Sequence, residues 1–425
     1  MKGAIKMNTN QLFKKRFSPV IAGIFYGILF SVIIISGNAD AQWIQSSYGI
    51  GNSEQMYTMI NHGTTVYAGT GDSGLFRSTN SGANWTFVNG VPSNVNIWAL
   101  YSVGSTIFVG TYGDGIYRST NNGANWLQVN AGLTNFNPRG FIAKDAYVFA
   151  ACWGGGMYRS ANNGTDWFPS TSGITNSNIW TMLTVGQNLF VGSYGGGVYR
   201  SSNNGTNWTQ SNSGLTNTSV YCLVSISPNI FAATGGGVFI STNNGDNWTF
   251  ANQGIVGGSY ALAVKGSALI SAGSGGIFKT TNNGATWTAY NQGLTNHNVY
   301  SMVENGEYLL AGTYGSSVFR RLTSEIVNSV NTISTQIPDG YSMSQNYPNP
   351  FNPSTKINFQ IPGAEDVDLR VYDALGKETA LLVNEKLAAG TYEVEYNASD
   401  FTSGVFFYKI KAGNFTEVKK MILVK

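Results

Sequence analysis

Carboxylate side chains are scarce over the first three quarters of the chain, and this limits the chemistry available to it. Residues 42–320 hold eight of them: Glu54, Asp72, Asp114, Asp145, Asp166, Asp246, Glu304 and Glu307. Cleavage of a glycosidic bond requires two carboxyl groups that face each other across the substrate. Asp72 and Asp114 occupy similar Gly-rich turns and are the only catalytic candidates. The alternative, a hydrated turn residue without chemistry, is the commoner occurrence.

The basic residues favour packing or binding over catalysis. Four arginines recur at the same place in successive repeats, which favours a role between repeats over a substrate-binding cluster: Arg77, Arg118, Arg159 and Arg200. Arg139 is the one arginine outside that series and is a candidate ligand-binding residue. His62 and His297 are too few and too separated to suggest a metal site or a general base. We predict no metal and no cofactor.

Aromatic residues give stronger candidates. One stands at the start of each predicted first strand of the repeat: Tyr57, Trp98, Phe141, Trp180, Tyr221, Tyr260 and Tyr300. Several second strands end with one: Tyr112, Trp153, Tyr194 and Tyr314. Both sets are predicted to lie towards one face around a central channel, where rings can stack on sugars or on a peptide. The alternative, packing between adjacent repeats, suits the first set better than the second. The candidate ligand-binding residues are Trp98, Tyr112, Trp153, Trp180, Tyr194, Tyr314 and Arg139.

The elements that must position these residues come from a repeat of about 41 residues. Six boxes of the form S-x-N-x-G-x-x-W, with Thr280 in the first place of the sixth, end at Trp85, Trp126, Trp167, Trp208, Trp248 and Trp287, with spacings of 41, 41, 41, 40 and 39. A period of roughly 40–45 residues is typical of a four-stranded propeller blade. Runs such as NIWTMLTV and LFVGSY alternate in polarity between Gly-containing turns, which indicates strands. Asn204-Gly205 tolerates positive φ at both positions and suits a tight turn.

The first and second strands recur seven times, although only six repeats carry the box. The seventh repeat ends near Phe319 without a tryptophan strand. The segment AQWIQSSYGIGN at residues 41–52 matches NWTQSNSGLTN at residues 207–217, so Trp43 is the seventh tryptophan. We therefore predict an all-β fold in which residues 42–321 form a seven-bladed β-propeller closed by the mature N-terminal strand. Such closure removes two open sheet edges.

The first 41 residues have the pattern of a secretory signal peptide. Five basic residues precede an apolar run from about Val20 to Ile35, and Ala39-Asp40-Ala41 supplies a cleavage site before Gln42. An uncleaved anchor is the alternative, because the apolar run is just short of a spanning helix. Of 24 basic and 21 acidic residues, this leader holds five and one, so the remainder has a net charge near −1. Such a charge gives no electrostatic basis for binding nucleic acid.

The chain has two cysteines, Cys152 and Cys222, in different repeats. An oxidising compartment permits a disulfide, but two separated cysteines do not make a disulfide framework. We predict two free, buried thiols.

Residues beyond 321 change in composition. A polar stretch over 322–343 is predicted to be a linker. It is followed by SQNYPNPFNPSTKINFQIP and then by alternating strands with turn signals every ~8–12 residues, which indicate a small antiparallel Ig-like β-sandwich over 344–425.

The tryptophan boxes resemble the Asp-box, or bacterial-neuraminidase repeat, of sialidases, xyloglucan hydrolases, sortilin-type receptors and photosystem assembly factors. The central aspartate of that family is Asn in every copy here: Asn80, Asn121, Asn162, Asn203, Asn243 and Asn282. Asn retains the acceptor oxygen and loses the charge. In that family the box marks the fold and carries no catalysis, so the resemblance implies a propeller and little about activity.

The C-terminal segment resembles the type A C-terminal sorting domain of the type IX secretion system. The resemblance rests on the motif Tyr347-Pro348-Asn349-Pro350-Phe351-Asn352-Pro353, on Val371-Tyr372-Asp373 with Gly376, on Gly390-Thr391-Tyr392, on Ser403-Gly404-Val405, and on the final run to Lys425. It implies export to the surface of a Gram-negative bacterium or to the medium. It also implies that the secretion machinery and its sortase-like peptidase are partners. An ordinary binding sandwich is the alternative.

These observations favour a secreted or surface-attached binding module for a polysaccharide or a protein, which we expect to be a monomer. One alternative is a divergent glycoside hydrolase or lyase that uses Asp72 and Asp114. Another is a passive surface scaffold.

Overall fold

The computed structural model describes residues 42–52, 54–265, 268–323, 330–398 and 401–425, and its secondary structure is built of β-strands. The predicted signal peptide lies outside the described residues. Within the described ranges, no helix is long and apolar enough to cross a membrane.

Residues 44–322 form seven four-stranded antiparallel sheets, numbered here in chain order. Their first strands are Met56–His62 (β2), Ile97–Val103 (β6), Pro138–Lys144 (β10), Ile179–Val185 (β14), Val220–Ile226 (β18), Ser259–Lys265 (β22) and Val299–Asn305 (β26). Their second strands are Thr65–Thr70 (β3), Thr106–Thr111 (β7), Tyr147–Cys152 (β11), Asn188–Ser193 (β15), Asn229–Thr234 (β19), Ala268–Gly273 (β23) and Tyr308–Thr313 (β27).

The third and fourth strands are shorter. The third strands are Leu75–Ser78 (β4), Ile116–Ser119 (β8), Gly156–Ser160 (β12), Gly197–Ser201 (β16), Gly237–Ser241 (β20), Gly276–Thr280 (β24) and Val318–Leu322 (β28). The fourth strands are Thr86–Phe87 (β5), Leu127–Gln128 (β9), Phe168–Pro169 (β13), Thr209–Gln210 (β17), Thr249–Phe250 (β21), Thr288–Ala289 (β25) and, in sheet 7, Ile44–Gln45 (β1).

The seven sheets have a propeller-like arrangement. The first strands contact one another in sequence order from β2 to β26, and β26 also contacts β2. Each second strand is an inner strand of its sheet, and neighbouring sheets cover both of its faces. Residues that point to either face are therefore apolar; Leu189, Phe190 and Val191, for example, are all fully buried. Separate apolar clusters fill the space between successive sheets, so burial of these strands supplies most of the driving force for folding.

The chain's N-terminal strand belongs to the last sheet. Ile44 pairs with Arg320 and Gln45 pairs with Phe319, which places β1 beside β28. Trp43 is buried, and its indole Nε1 donates a hydrogen bond to the carbonyl of Tyr290 at 2.7 Å.

Each tryptophan box closes the turn between the third and fourth strands, and we call this turn the clasp. In sheet 4 the hydroxyl of Ser201 accepts a hydrogen bond from the amide of Gly205, and the side-chain oxygen of Asn203 accepts one from the amide of Asn207. Asn204 and Gly205 have φ angles of 53° and 72°, in the left-handed region that Asn and Gly tolerate best. The tight turn predicted at Asn204-Gly205 is therefore confirmed.

In five of the six clasps the tryptophan indole donates a hydrogen bond to the preceding sheet; the exception is Trp126, whose indole nitrogen has no partner among the described residues. The indole nitrogens of Trp167, Trp208 and Trp248 donate to backbone carbonyls just after the preceding sheet's fourth strand, at 3.0, 2.7 and 2.8 Å. Gly214 lies so close to this contact that a Cβ there would stand 2.1 Å from the carbonyl oxygen of Trp248. A side chain at this position is excluded both by space and by its φ of 80°.

The arginines that recur at the same place in successive repeats also connect neighbouring sheets. Arg118 and Arg159 donate to the clasps of the next sheets through backbone carbonyls of Asn163 and Asn204. Arg200 donates to the carbonyl of Asn244 and pairs with Asp246 at 2.7 Å. The prediction of an inter-repeat role is therefore confirmed for these three.

The remaining strands form two further four-stranded sheets. Sheet 8 contains Val330–Ser334 (β29), Ser342–Met343 (β30), Ser354–Ile361 (β31) and Gly390–Asn397 (β34). Sheet 9 contains Glu365–Asp373 (β32), Glu378–Leu387 (β33), Gly404–Ala412 (β35) and Phe415–Leu423 (β36). One apolar cluster unites them and includes Phe351, Phe359, Leu369, Tyr408 and Met421.

The stretch predicted to be a linker, 322–343, contains two of these strands. β29 pairs with β34, with Thr332 opposite Tyr392, and β30 pairs with β31. Polar composition misled the sequence prediction here, because an edge strand needs backbone pairing more than it needs apolar side chains.

Candidate ligand-binding site

A β-bulge near the start of every first strand projects one extra residue from the sheet. The register of each first strand shifts at this point, for example between Met56 and Thr58. The bulged residues of sheets 1 to 7 are Tyr57, Trp98, Arg139, Trp180, Tyr221, Tyr260 and Tyr300. We call these seven residues the inner ring.

This arrangement corrects the predicted role of Phe141. In sheet 3 the bulged position belongs to Arg139, whereas Phe141 is buried and stacks on Phe108 with 5.6 Å between ring centroids. Arg139, expected to lie outside the register, is in fact the single non-aromatic member of the inner ring.

Most neighbouring side chains of the inner ring touch. The ring centroids of Trp180 and Tyr221 are 5.2 Å apart, those of Tyr221 and Tyr260 5.2 Å, and those of Tyr260 and Tyr300 5.1 Å. Tyr57 lies 6.2 Å from Tyr300. These residues are half-buried, so their edges pack together as expected for a between-repeat role while part of each ring remains accessible.

Arg139 lies between two indoles. Its Cζ is 3.1 Å from the ring centroid of Trp98, 4.2 Å from that of Trp180 and 5.9 Å from that of Trp153. No described residue forms a hydrogen bond or an ion pair with it, and its Nε is buried without a partner. Burial lowers the pKa of Arg139 below the ordinary arginine value, because the charged form loses hydration that the indoles replace only in part.

A second set of rings stands one residue beyond the second strands of four sheets, and we call it the outer set: Tyr112, Trp153, Tyr194 and Tyr314. Tyr112, Tyr194 and Tyr314 are 53%, 44% and 43% exposed. The set contacts the inner ring, with 4.3 Å between Trp98 and Tyr112 and 5.4 Å between Trp153 and Trp180. The inner ring and the outer set together are called the aromatic mouth.

Burial keeps the hydroxyls of three mouth tyrosines protonated at neutral pH. Burial raises the pKa of Tyr57, Tyr221 and Tyr300, with smaller contributions from neighbouring groups. The hydroxyl of Tyr57 donates to the side-chain oxygen of Gln55 at 2.7 Å. The protonated hydroxyls of this face can therefore donate hydrogen bonds to a ligand.

Carboxylates near the mouth are few and lie in sheets 1 and 2. Asp72 is exposed in the turn after β3. Asp114 follows β7, and the hydroxyl of Tyr117 donates to its carboxylate at 3.4 Å. Glu54, which the sequence analysis did not assign to this face, accepts a hydrogen bond from Ser73 at 2.8 Å and so lies beside the turn of Asp72. The only feature of the sequence that could have placed Glu54 at this face was its position just before β2.

The cysteines take no part in the site. Both are free, as predicted, but Cys222 is only partly buried, whereas burial was predicted for both. Cys152 is fully buried, and burial raises the pKa of its thiol to about 12. Among the described residues, no three His, Cys, Asp or Glu side chains are grouped so that they could hold a metal ion.

The predicted sorting motif forms a loop against the final strand. Phe351 is buried, its amide donates to the carbonyl of Ile422, and its carbonyl accepts from Val424. The side chain of Asn349 accepts from the amide of Ile422 at 3.0 Å, whereas Tyr347 is 80% exposed. Of the remaining motif residues, Pro348 accepts a hydrogen bond from Asn346, and Pro350, Asn352 and Pro353 complete the loop.

The other two predicted sorting residues, Gly404 and Lys425, lie in and next to sheet 9. Gly404 begins β35 opposite Leu423, and the amide of Lys425 donates to the hydroxyl of Ser403 at 2.9 Å. The sorting residues are therefore ordered parts of the domain, and Tyr347 is the most exposed aromatic side chain among them.

Comparison with known families identifies this region. Residues 345–425 match the secretion system C-terminal sorting domain, which confirms that prediction. The protein is exported by type IX secretion to the cell surface or the medium. No curated protein matches the chain.

Solved structures similar to the chain are β-propellers. YCF48 bound to D1 peptide is 16% identical, with a TM-score of 0.51, and the match covers 66% of this chain and 96% of that one. PorZ of Porphyromonas gingivalis, described as an essential surface component of the type-IX secretion system, is 15% identical with a TM-score of 0.52; the match covers 87% of this chain and 59% of that one.

A GH74 xyloglucanase from Xanthomonas campestris is 16% identical, with a TM-score of 0.50 and coverage of 63% of this chain and 43% of that one. At these identities the similarities establish the propeller-like fold alone.

Proposed function

We propose that the protein is an exported seven-bladed β-propeller that binds an extracellular ligand at its aromatic mouth. In this proposal residues 1–41 are removed, residues 42–321 form the ring, β1 closes it, and the sorting domain near residues 344–425 delivers it. The pairing of β1 with β28 and the cyclic contacts of the first strands support the closed ring.

One observation carries the binding function: ten partly accessible aromatic rings, those of the inner ring and the outer set, surround Arg139, a cation with no hydrogen-bond or ion-pair partner among the described residues. Soluble proteins usually pair or solvate such a cation. Aromatic side chains with accessible faces and a few polar groups are typical of ligand sites. Five of the six clasps, in contrast, bury their tryptophans and bond the indole nitrogens internally.

The carboxylates support binding without catalysis. Asp114 is held by Tyr117, and Asp72 is an exposed turn residue. Neither carboxylate is buried. A glycoside hydrolase that uses Asp72 and Asp114 remains the second candidate, because the fold is shared with a xyloglucanase.

The neighbours indicate two classes of ligand. One propeller was solved with a peptide and another acts on a polysaccharide, as their descriptions state. We favour a polysaccharide, because the outer set offers flat aromatic faces that suit stacking on sugar rings, together with tyrosine hydroxyls that can bond sugar hydroxyls.

Glycan-array binding by the full chain tests the proposal, with Trp153→Ala and Tyr194→Ala as site variants. Phe168→Ala is the matched control, because Phe168 on a fourth strand is an aromatic even more exposed, 61%, than Tyr194, 44%. We expect the site variants to lose at least about tenfold in affinity, since one stacking ring contributes about 1–3 kcal/mol in comparable aromatic stacking. Phe168→Ala should bind normally.

Reducing-sugar release distinguishes the second candidate. If the wild type releases reducing sugar and Asp72→Asn or Asp114→Asn does not, the protein is a glycoside hydrolase and the proposal of binding without catalysis is wrong. Equal binding by the site variants and wild type would disprove the aromatic mouth as the site. An absence of binding to glycans and peptides alike would leave a passive scaffold.

A further inference from the structure

We infer that Arg139 binds a carboxylate of the ligand, so that the aromatic mouth selects an acidic polysaccharide built from uronic acid residues. This inference rests on the proposed function and specifies its ligand.

The first argument is the contrast between Arg139 and four other arginines. Arg118, Arg159 and Arg200 each donate to a carbonyl of the next clasp, and Arg200 has a carboxylate partner as well. In the sorting domain, Arg370 is held by Asp368 and Glu378 at 2.8 Å each. Arg139 is more enclosed by rings than any of them is, yet it has no such partner. A desolvated cation without an anion costs free energy, and a ligand anion recovers it.

The second argument is geometric. The rings of Trp98 and Trp180 lie close to Cζ and restrict the guanidinium. Of its three nitrogens only Nε is both buried and unpartnered, so Nη1 and Nη2 retain contact with solvent. A restricted guanidinium with accessible terminal nitrogens is suited to a carboxylate, which it can bind through two parallel hydrogen bonds.

The third argument concerns the surroundings of Arg139. Tyr112 contacts Trp98, and Trp153 contacts both Trp180 and Tyr194, so accessible rings flank the guanidinium on two sides. A uronic acid residue combines what these groups require, since its ring stacks on an aromatic face and its carboxylate lies in the plane of that ring. A neutral sugar would leave the cation unpaired.

Binding of polygalacturonate by the full chain tests the inference, with carboxyl-reduced polygalacturonate as the matched neutral ligand. We expect wild type to bind the acidic polymer at least tenfold more tightly. Arg139→Gln should abolish this preference and leave the weaker binding of the neutral polymer unchanged. Arg77→Gln is the control, because it removes the same charge from an exposed site on a third strand. It should preserve the preference, and added salt should weaken acidic binding in the control and wild type alike.

The outcomes separate the two proposals. Equal affinity for both polymers in wild type, with loss of both in Trp153→Ala, would retain the aromatic site and overturn the role of Arg139. If Arg77→Gln and Arg139→Gln lose the same affinity for polygalacturonate, the attraction is a nonspecific effect of charge. That result would also overturn the role of Arg139. Binding only to peptides that end in a free carboxylate would overturn the polysaccharide. A chain that binds none of these ligands, nor any other glycan, would overturn the proposed function itself.

Discussion

The clasps and the aromatic mouth are made from the same repeats but follow opposite rules. In the clasps, Ser, Asn and Trp recur almost without change and their polar atoms bond within the protein, as in the turn of Ser201 and Trp208. In the mouth, the equivalent positions vary from Tyr to Trp to Arg, rings remain exposed, and Arg139 has no polar partner. Internal satisfaction of polar groups stabilises a fold, whereas an unsatisfied group is available to a ligand. The comparison therefore separates structural from binding residues within one repeat.

The largest effect should come from breaking a clasp. Trp248→Ala removes a buried indole and its bond to Ser211, and we expect a loss of about 3–5 kcal/mol in the free energy of unfolding. Tyr194→Ala, in the mouth, should cost less than about 1 kcal/mol because the ring is 44% exposed. Urea unfolding followed by tryptophan fluorescence measures both, since all ten tryptophans lie between residues 43 and 287. Equal losses would erase the distinction between the two faces.

A comparison of two clasps sharpens the rule. Trp167 donates to the carbonyl of Val129, whereas the indole nitrogen of Trp126 has no partner. Trp167→Phe leaves a buried carbonyl unsatisfied, so it should cost about 1–2 kcal/mol more than Trp126→Phe. The difference between the two urea midpoints checks this. Identical midpoints would show that the indole contributes through packing alone.

One clasp can be given the central aspartate of the Asp-box repeat that it resembles. Asn203→Asp keeps the oxygen that accepts from Ser201 and Asn207 and adds a charge. Charge-assisted hydrogen bonds should stabilise the chain by roughly 0.5–1 kcal/mol at pH 7. These bonds lower the folded-state pKa of the new carboxyl, so the gain should be complete above about pH 5 and vanish as pH falls through the folded pKa. A gain that persists at pH 2 would exclude this electrostatic origin.

The smallest effect should come from the mouth's own cation. Arg139→Met removes an enclosed charge and three cation–π contacts together, so the free energy of unfolding should change by less than about 0.5 kcal/mol or increase. Arg200→Met, which loses a clasp bond and an ion pair, is the matched comparison and should be slightly destabilised. A large loss at Arg139 would identify it as a structural residue.

Several features were predictable because a local pattern carries them. The Asn-Gly turn conformation, the serine and asparagine hydrogen bonds of the clasp and the sorting domain follow from residues that are adjacent in sequence. The roles of Arg118, Arg159 and Arg200 were predicted from their recurrence at one period. Strong local preferences repeated many times leave few alternatives.

Other features were not predictable from single strands. Phe141 and Arg139 are two residues apart, and simple alternation places both on one side of a strand. The bulge between Pro138 and Gly140 separates them, sending Arg139 to the mouth and Phe141 to the core. Likewise, the polar strand Val330–Ser334 is recruited by β34 through backbone hydrogen bonds, which composition does not encode.

The sequence by itself determined the β-strands, the period, the clasps and the export domain, because short-range turn chemistry and apolar alternation act within about 40 residues. Only the tertiary structure decided which groups would remain unsatisfied. Whether Arg139 has a partner depends on which residues the seven first strands, distant in sequence, bring to one face. A local sequence pattern contains no information about those contacts.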